Sequence, residues 1–395
     1  MTETERIVTE LCKHSFLRFW TIPSPKRKKD KKELCDVLVF IHPYLIIISV
    51  KEIIIKENST FKIQSERWER KAILDSAKQI YGAERYINKR EIFYDSRFET
   101  EFQITNFENI KLFRIAIAFG RGDKFHLIQG KFEGGFVHVI DEKFLHILFK
   151  ELNTITDFTE YLERKEDFFE KSRVIFTQEE DLLAIYLHNN RNFPYKADIQ
   201  ILNDDIWDGV KEKKEFKNKI NANETSFLWD NLIDIFTSDF RNNTLIGDTD
   251  FDSTDKALRI LALETRFSRR ILANSFLEIN KPESKIRSRI ISSISGITYV
   301  FLIAPGKIQR DRDTRNRELV LRCWVARKMH KDNKIVIGIA KDPINPEGTS
   351  YDLVNLEIDS LTKEELDKIE EMQTDLGYFS KPIFTSTHID EYPFD

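Results

Sequence analysis

Apolar and polar residues follow two periods along the chain, one helical and one extended. Residues 2–19 place Ile7, Leu11, Phe16 and Phe19 at roughly helical spacing, which predicts an opening helix. Residues 21–32 contain Pro23, Pro25 and the run Lys26-Arg27-Lys28-Lys29-Asp30-Lys31-Lys32, and read as a loop. Residues 34–41 and 44–55 are rich in β-branched and apolar side chains, with His42-Pro43 between them, so they read as a hairpin. Residues 68–88 predict a strong helix, with Trp68, Ala72, Ile73, Ala77, Ile80, Ala83 and Ile87 on one side. Short strands are expected at 111–119, 124–129 and 135–141, and helices at 145–151 and 157–169.

The pattern then breaks. Residues 188–224 hold Asn189, Asn190, Arg191 and Asn192, then Asp204 and Asp205, then a charge-dense stretch at 211–219. Beyond it, helices are expected at 226–240, 255–278 and 317–330, and strands at 297–304, 334–340 and 353–358. A last helix, 362–373, opens on the capping pattern Thr362-Lys-Glu-Glu365. The expected organisation is α/β: a domain at 1–175 with a mixed sheet flanked by helices, a charged connecting region at 176–225, and a second α/β domain at 226–395.

Charge changes this picture only locally. The 395 residues include 62 Lys plus Arg against 66 Asp plus Glu, a net −4, which excludes a wholly basic protein but not basic patches. Cys12, Cys35 and Cys323 are too few and too far apart for a disulfide framework or a zinc site, which fits a reducing, cytoplasmic setting. No apolar run approaches the roughly 20 residues that span a bilayer, so no membrane partner is expected.

Several signatures fail on inspection. There is no GxxxxGK, GxSxG or HExxH. Gly120-Arg-Gly122 lacks its third glycine, where Phe125 stands. Asp248-Thr-Asp250-Phe-Asp252 begins like a calcium loop, but Ser253 and Arg259 occupy the positions that need Gly and Glu. His138-x-x-Asp141 and His388-x-Asp390-Glu391 have the spacing of metal pairs, yet short polar pairs of this kind are more often turns and caps.

One constellation stands. Asp36 lies inside an otherwise apolar strand and Lys51 inside the next. A buried unpaired charge costs several kcal/mol, so each needs a partner, a metal or a wet cleft. A hairpin sets the two strands about 4.8 Å apart. Ser49 and Lys51 share a face by parity. If Asp36 shares it too, a carboxylate and an ammonium converge. The competing explanation is an internal salt bridge in a structural hairpin.

Glu33-Leu-Cys-Asp36 followed by Ser49-Val-Lys51, with the helix segment Ser76-Ala-Lys-Gln79 behind, resembles the PD-(D/E)XK nuclease superfamily of restriction-endonuclease-like fold. The wider string from Ser15-Phe-Leu-Arg-Phe-Trp20 to Gln79 is similar to bacterial stand-alone proteins of phage-defence loci. The resemblance covers the first domain and, more loosely, the second. It implies metal-assisted phosphodiester hydrolysis, DNA rather than RNA as partner, Mg²⁺ or Mn²⁺ as cofactor, and Asp36, Ser49, Lys51 and Gln79 as the catalytic set. Ser49 departs from the family pattern, which has Asp or Glu there. Glu10, Glu33 and Glu52 are the substitutes that would join Asp36 as metal ligands.

Basic clusters supply the expected nucleic-acid contacts: Lys26, Arg27, Lys28 and Lys29 beside the site, Arg70 on the following helix, and Arg310, Arg312 and Arg315 in the second domain. Cutting both strands of a duplex favours a homodimer. The rival expectation is a nuclease fold that has lost catalysis and serves as a nucleic-acid-binding or regulatory module. A third places ligand chemistry in the second domain, around 310–327 and the strand end Gly338-Ile-Ala-Lys341.

Overall fold

The computed structural model describes residues 1–53, 60–120, 128–246, 250–280, 287–303, 311–342, 349–380 and 389–393. The chain divides into two compact units, Met1–Lys217 and Asn218–Asp395. The expected connecting region at 176–225 is therefore shared between them. It is also largely helical, with Glu179–His188, Ile206–Lys211 and Lys214–Asn223 all in α-helices.

The first unit opens on α1, Glu3–Ser15, shorter than the pattern predicts. Thr2 and Glu5 close a capping box at its start. The supposed loop contains strand β1, Thr21–Pro23, antiparallel to β2, Val37–Ile41. The hairpin expected next is present: β2 pairs antiparallel with β3, Tyr44–Glu52, through a turn at the cis His42-Pro43 bond. The long helix begins earlier than expected. Phe61–Trp68 is α-helical, Glu69–Leu74 widens into a π segment, and α2 follows at Asp75–Asn88. Strand β4, Lys111–Phe119, then runs parallel to β3, and β5, Phe136–Asp141, parallel to β4. Gly130–Lys131 closes the edge of a six-stranded mixed sheet. Residues 124–127 of the expected third strand lie outside the described residues.

Burial explains the sheet's composition. Val37, Val39, Ile46 and Ile48 are fully covered on one face. Leu38, Leu45, Ile47, Ala116 and Ala118 cover the other, packed with Trp68, Ala72, Ile73, Ala77 and Ile80. Both faces of the central strands are dry, which is why β2, β3 and β4 read as continuous apolar runs. Helices α3, Glu142–Glu151, and α4, Ile155–Lys171, complete the layer, with Asp141 and Thr154 as their caps.

In the second unit the helix expected at 255–278 is two. Helix α5, Phe227–Asn242, precedes α6, Phe251–Leu263, and α7, Arg266–Ile279. Extended backbone at Glu264 and Thr265 breaks the pair, and the Thr265 hydroxyl accepts from Ser268 N to start α7. A four-stranded sheet follows: β6, Arg287–Ser292; β7, Thr298–Ile303; β8, Ile335–Lys341; β9, Tyr351–Glu357. The middle pair is parallel and the outer pairs antiparallel. Helix α8, Arg312–Met329, makes the crossover between β7 and β8, and α9, Lys363–Leu376, ends the unit. Leu319, Cys323 and Ala326 of α8 pack on the sheet. A Cβ at Gly338 would stand 2.6 Å from Cys323 Sγ, so close helix–sheet packing requires glycine there. No helix among the described residues is long and apolar enough to cross a membrane.

Candidate active site

Asp36 sits one residue ahead of β2, yet its backbone is already paired on both sides. Ser24 N donates to Asp36 O at 2.8 Å, and Asp36 N donates to Ile48 O at 3.2 Å. Continuing the register of Val37 opposite Ile48 sets Asp36 opposite Ser49. The two side chains therefore emerge on one face, the face that α2 covers.

Four side chains meet there. Val50 N donates to Asp36 Oδ2 at 2.6 Å. Lys51 Nζ lies 3.9 Å from the same oxygen. Gln79, reaching down from α2, donates through Nε2 to Asp36 Oδ1 at 3.4 Å. Its Oε1 accepts from Ser49 Oγ at 3.0 Å. Ser49 is fully buried, the Asp36 side chain is 5% exposed, and the Lys51 side chain is 33% exposed, so the cluster opens to solvent on the lysine side. Burial pushes the Asp36 carboxyl above its ordinary value, against the opposing pull of the Val50 amide and the Lys51 ammonium. Glu33 and Glu5 push it further in the same direction.

The other expected ligands lie elsewhere. Glu10 is half exposed and pairs with Lys13 at 2.9 Å. Glu33 is drawn into an ion pair with Lys26 at 3.3 Å. Glu52 is exposed and has the opposite strand parity. A helical carboxylate whose charge reaches Asp36 is Glu5, which accepts from Thr2 N at 2.7 Å. Its signal in the sequence, Thr2-x-x-Glu5, reads as a helix cap and conceals its proximity to the strand. Among the described residues, no group of three or more His, Cys, Asp or Glu side chains could hold a metal ion. Mg²⁺ is nevertheless commonly held by one or two carboxylates, with waters and substrate phosphates completing its shell. Asp36 fits that minimal arrangement, and the serine at 49 withholds the second carboxylate.

The two other metal pairs resolve differently. His138 is buried and bonds Glu166 Oε1 at 2.9 Å, while Asp141 caps α3 by accepting from Phe144 N at 2.8 Å. His388 lies outside the described residues.

The basic residues separate in the same way. Lys26 and Arg27 form a short strand antiparallel to Phe93–Tyr94, so the basic run is a β-ribbon rather than a free loop. Lys28 lies 3.6 Å from Glu101, and Lys29 is exposed. Arg70 is exposed on the π segment. In the second unit Arg312 is exposed, whereas Arg315 is fully buried and its guanidinium grips Asp352 with both Nε and Nη2. Arg315 is thus a structural ion pair and is withdrawn from any phosphate. Arg310 lies outside the described residues. At the β8 end, Lys341 is nearly buried and donates to Asn280 Oδ1 at 3.3 Å.

Compared with models of known families, with curated proteins and with solved structures, the chain finds no match.

Proposed function

We propose that the first unit is a PD-(D/E)XK-type nuclease domain that hydrolyses phosphodiester bonds of DNA. The observation that carries this reading is the convergence of Asp36, Ser49, Lys51 and Gln79 on one face of the sheet. The order of elements supports it: α1, β1, β2, β3, α2, β4, with antiparallel, antiparallel and parallel pairings in sequence.

In this reading Asp36 holds the divalent ion. When bound, the ion lowers the pKa of a water and offsets charge on the phosphate. Lys51, on the open side, places an ammonium beside the attacked phosphate and stabilises the negative charge that develops on its oxygens. Gln79 is a positioning residue: its amide bridges Ser49 and Asp36 and fixes the carboxylate plane. Val50 N, committed to Asp36 Oδ2, does the same from the backbone.

A second reading, a binding module that has lost catalysis, is favoured by one observation. The hydroxyl of Ser49 stands where the second carboxylate belongs, and it is already satisfied by Gln79. Plasmid, linear duplex and RNA, each incubated with the protein in Mg²⁺ or Mn²⁺, separate the two. The nuclease reading expects DNA cleavage that Asp36→Ala abolishes. DNA bound but left intact supports the module, and cleavage that survives Asp36→Ala removes this site from the chemistry.

A further inference from the structure

The β-ribbon that carries the basic run folds onto the C-terminal end of α2, and a cavity of about 420 Å³ lies between them. Its walls hold four cations, Arg27, Lys29, Arg85 and Lys89, against two carboxylates, Asp30 and Glu91. Asp30 is already matched by Arg27 at 3.2 Å. Lys29, Arg85 and Lys89 enter no ion pair of the described residues. The surplus is therefore cationic and unspent.

The cavity is also held in shape. Tyr86 hydroxyl donates to Ile92 O at 2.7 Å and accepts from Lys28 N at 3.2 Å, which ties the ribbon to α2. The Arg27 guanidinium lies over the Tyr86 ring, 5.9 Å from its centroid. Arg27 Nε is buried and has no hydrogen-bond acceptor within the protein.

The position relates the cavity to the active site. Gln79 and Tyr86 are seven residues apart on α2, two turns along one stripe, or about 10 Å. Asp36 and Arg27 are likewise joined through the same ribbon, whose Pro25 O accepts from Leu34 N at 2.8 Å.

We propose that this cavity is a phosphate-binding subsite, which receives the backbone of a DNA strand flanking the phosphodiester at Asp36 and Lys51. The subsite rests on the nuclease-fold reading for its substrate, and on its own residues for its chemistry. Arg85 and Lys89 supply fork and point contacts from the helix, and Lys29 closes from the ribbon.

The test is fluorescence anisotropy of a labelled 20-base-pair duplex without divalent ions, titrated at several KCl concentrations between 50 and 200 mM. The proteins are the full chain, its K29A/R85A/K89A variant, and a control, Lys363→Ala, on the exposed start of α9. Thermal unfolding confirms that each is folded. Each lost phosphate contact should cost about tenfold in affinity near 0.1 M salt and lower the salt slope by about 0.9. The triple variant should therefore bind at least about 100-fold more weakly with a slope reduced by about two to three. The control should match the unaltered chain. A triple variant with unchanged affinity and slope overturns the subsite while leaving the Asp36 cluster standing. Absence of binding by the unaltered chain overturns it as well. Binding that depends on the three cations, without cleavage in Mg²⁺, supports the subsite and rejects the nuclease reading alone.

Discussion

Ser49→Asp restores the carboxylate that the resemblance calls for, and its consequence can be worked from the geometry. Residue 49 is fully buried, opposite Asp36 and in hydrogen-bond contact with Gln79 Oε1, an acceptor. A new carboxylate there faces an acceptor and a like charge, with Lys51 as the nearest cation already shared with Asp36. An uncompensated buried charge costs about 3–5 kcal/mol. For a unit of this size each kcal/mol moves the melting temperature by about 2–4 °C, so the metal-free variant should melt about 6–20 °C lower. A divalent ion held between Asp36 and the carboxylate introduced by Ser49→Asp offsets part of the loss. At 100 times its dissociation constant it returns about 2.7 kcal/mol, or about 5–10 °C. The assay is calorimetry of both proteins in EDTA and in saturating Mn²⁺. The variant should gain more from the ion than the natural chain does. Equal gains in the two proteins, or a loss that the ion leaves untouched, would refute the placement of a cation at this cluster.

Three further outcomes follow from the first unit. Lys165 and Glu179 are both 1% exposed and 2.5 Å apart, so Lys165→Met should cost about 3–5 kcal/mol in urea unfolding, while Lys165→Met with Glu179→Leu should recover most of it; a double variant as unstable as the sum of its single changes would contradict this. Burial chiefly pushes Glu166 up to about 7, with Glu170 and Glu163 adding to it and Arg114 and Lys131 opposing it. The folded chain thus holds this proton more tightly than the unfolded one, so its stabilising share is complete below about pH 4.5 and is lost as pH rises through about 7. Glu166→Gln should flatten the stability profile over that window, and an unchanged slope would count against the assignment. Gly120 has φ +84°, and a Cβ would lie 2.4 Å from Ile53 O, so Gly120→Ala should lower the unfolding free energy measured in urea by more than about 1 kcal/mol; a neutral result would show that the β3–β4 end relaxes freely.

Parts of this architecture are written plainly in the chain. β2, β3 and β4 are legible because most of their side chains are buried on both faces, which gives them long apolar stretches. β1 is not, because Pro23 and the lysine run beside it carry the marks of a loop, although it pairs antiparallel with β2. The break between α6 and α7 hides inside a continuous helical period and rests on the Thr265 cap. Asp36 and Lys51 stand out as lone charges in apolar strands. Gln79 is ordinary on its helix and acquires meaning only through the resemblance. Arg85, Lys89 and Tyr86 escape notice because their cavity exists only once the ribbon folds back onto α2. Arg315 misleads in the opposite sense: its neighbours suggest a basic surface, while Asp352, 37 residues later, removes it from solvent.

The role of the Asp36–Lys51 pair is tested most directly by single-turnover cleavage of an end-labelled duplex in Mg²⁺, with the natural chain, Asp36→Asn and Lys51→Met in excess over DNA. Cleavage by the natural chain, slowed at least about 100-fold in either variant while duplex affinity stays within about threefold, is the expected result. Equal cleavage rates in all three proteins, or intact DNA bound equally by all three, would contradict it.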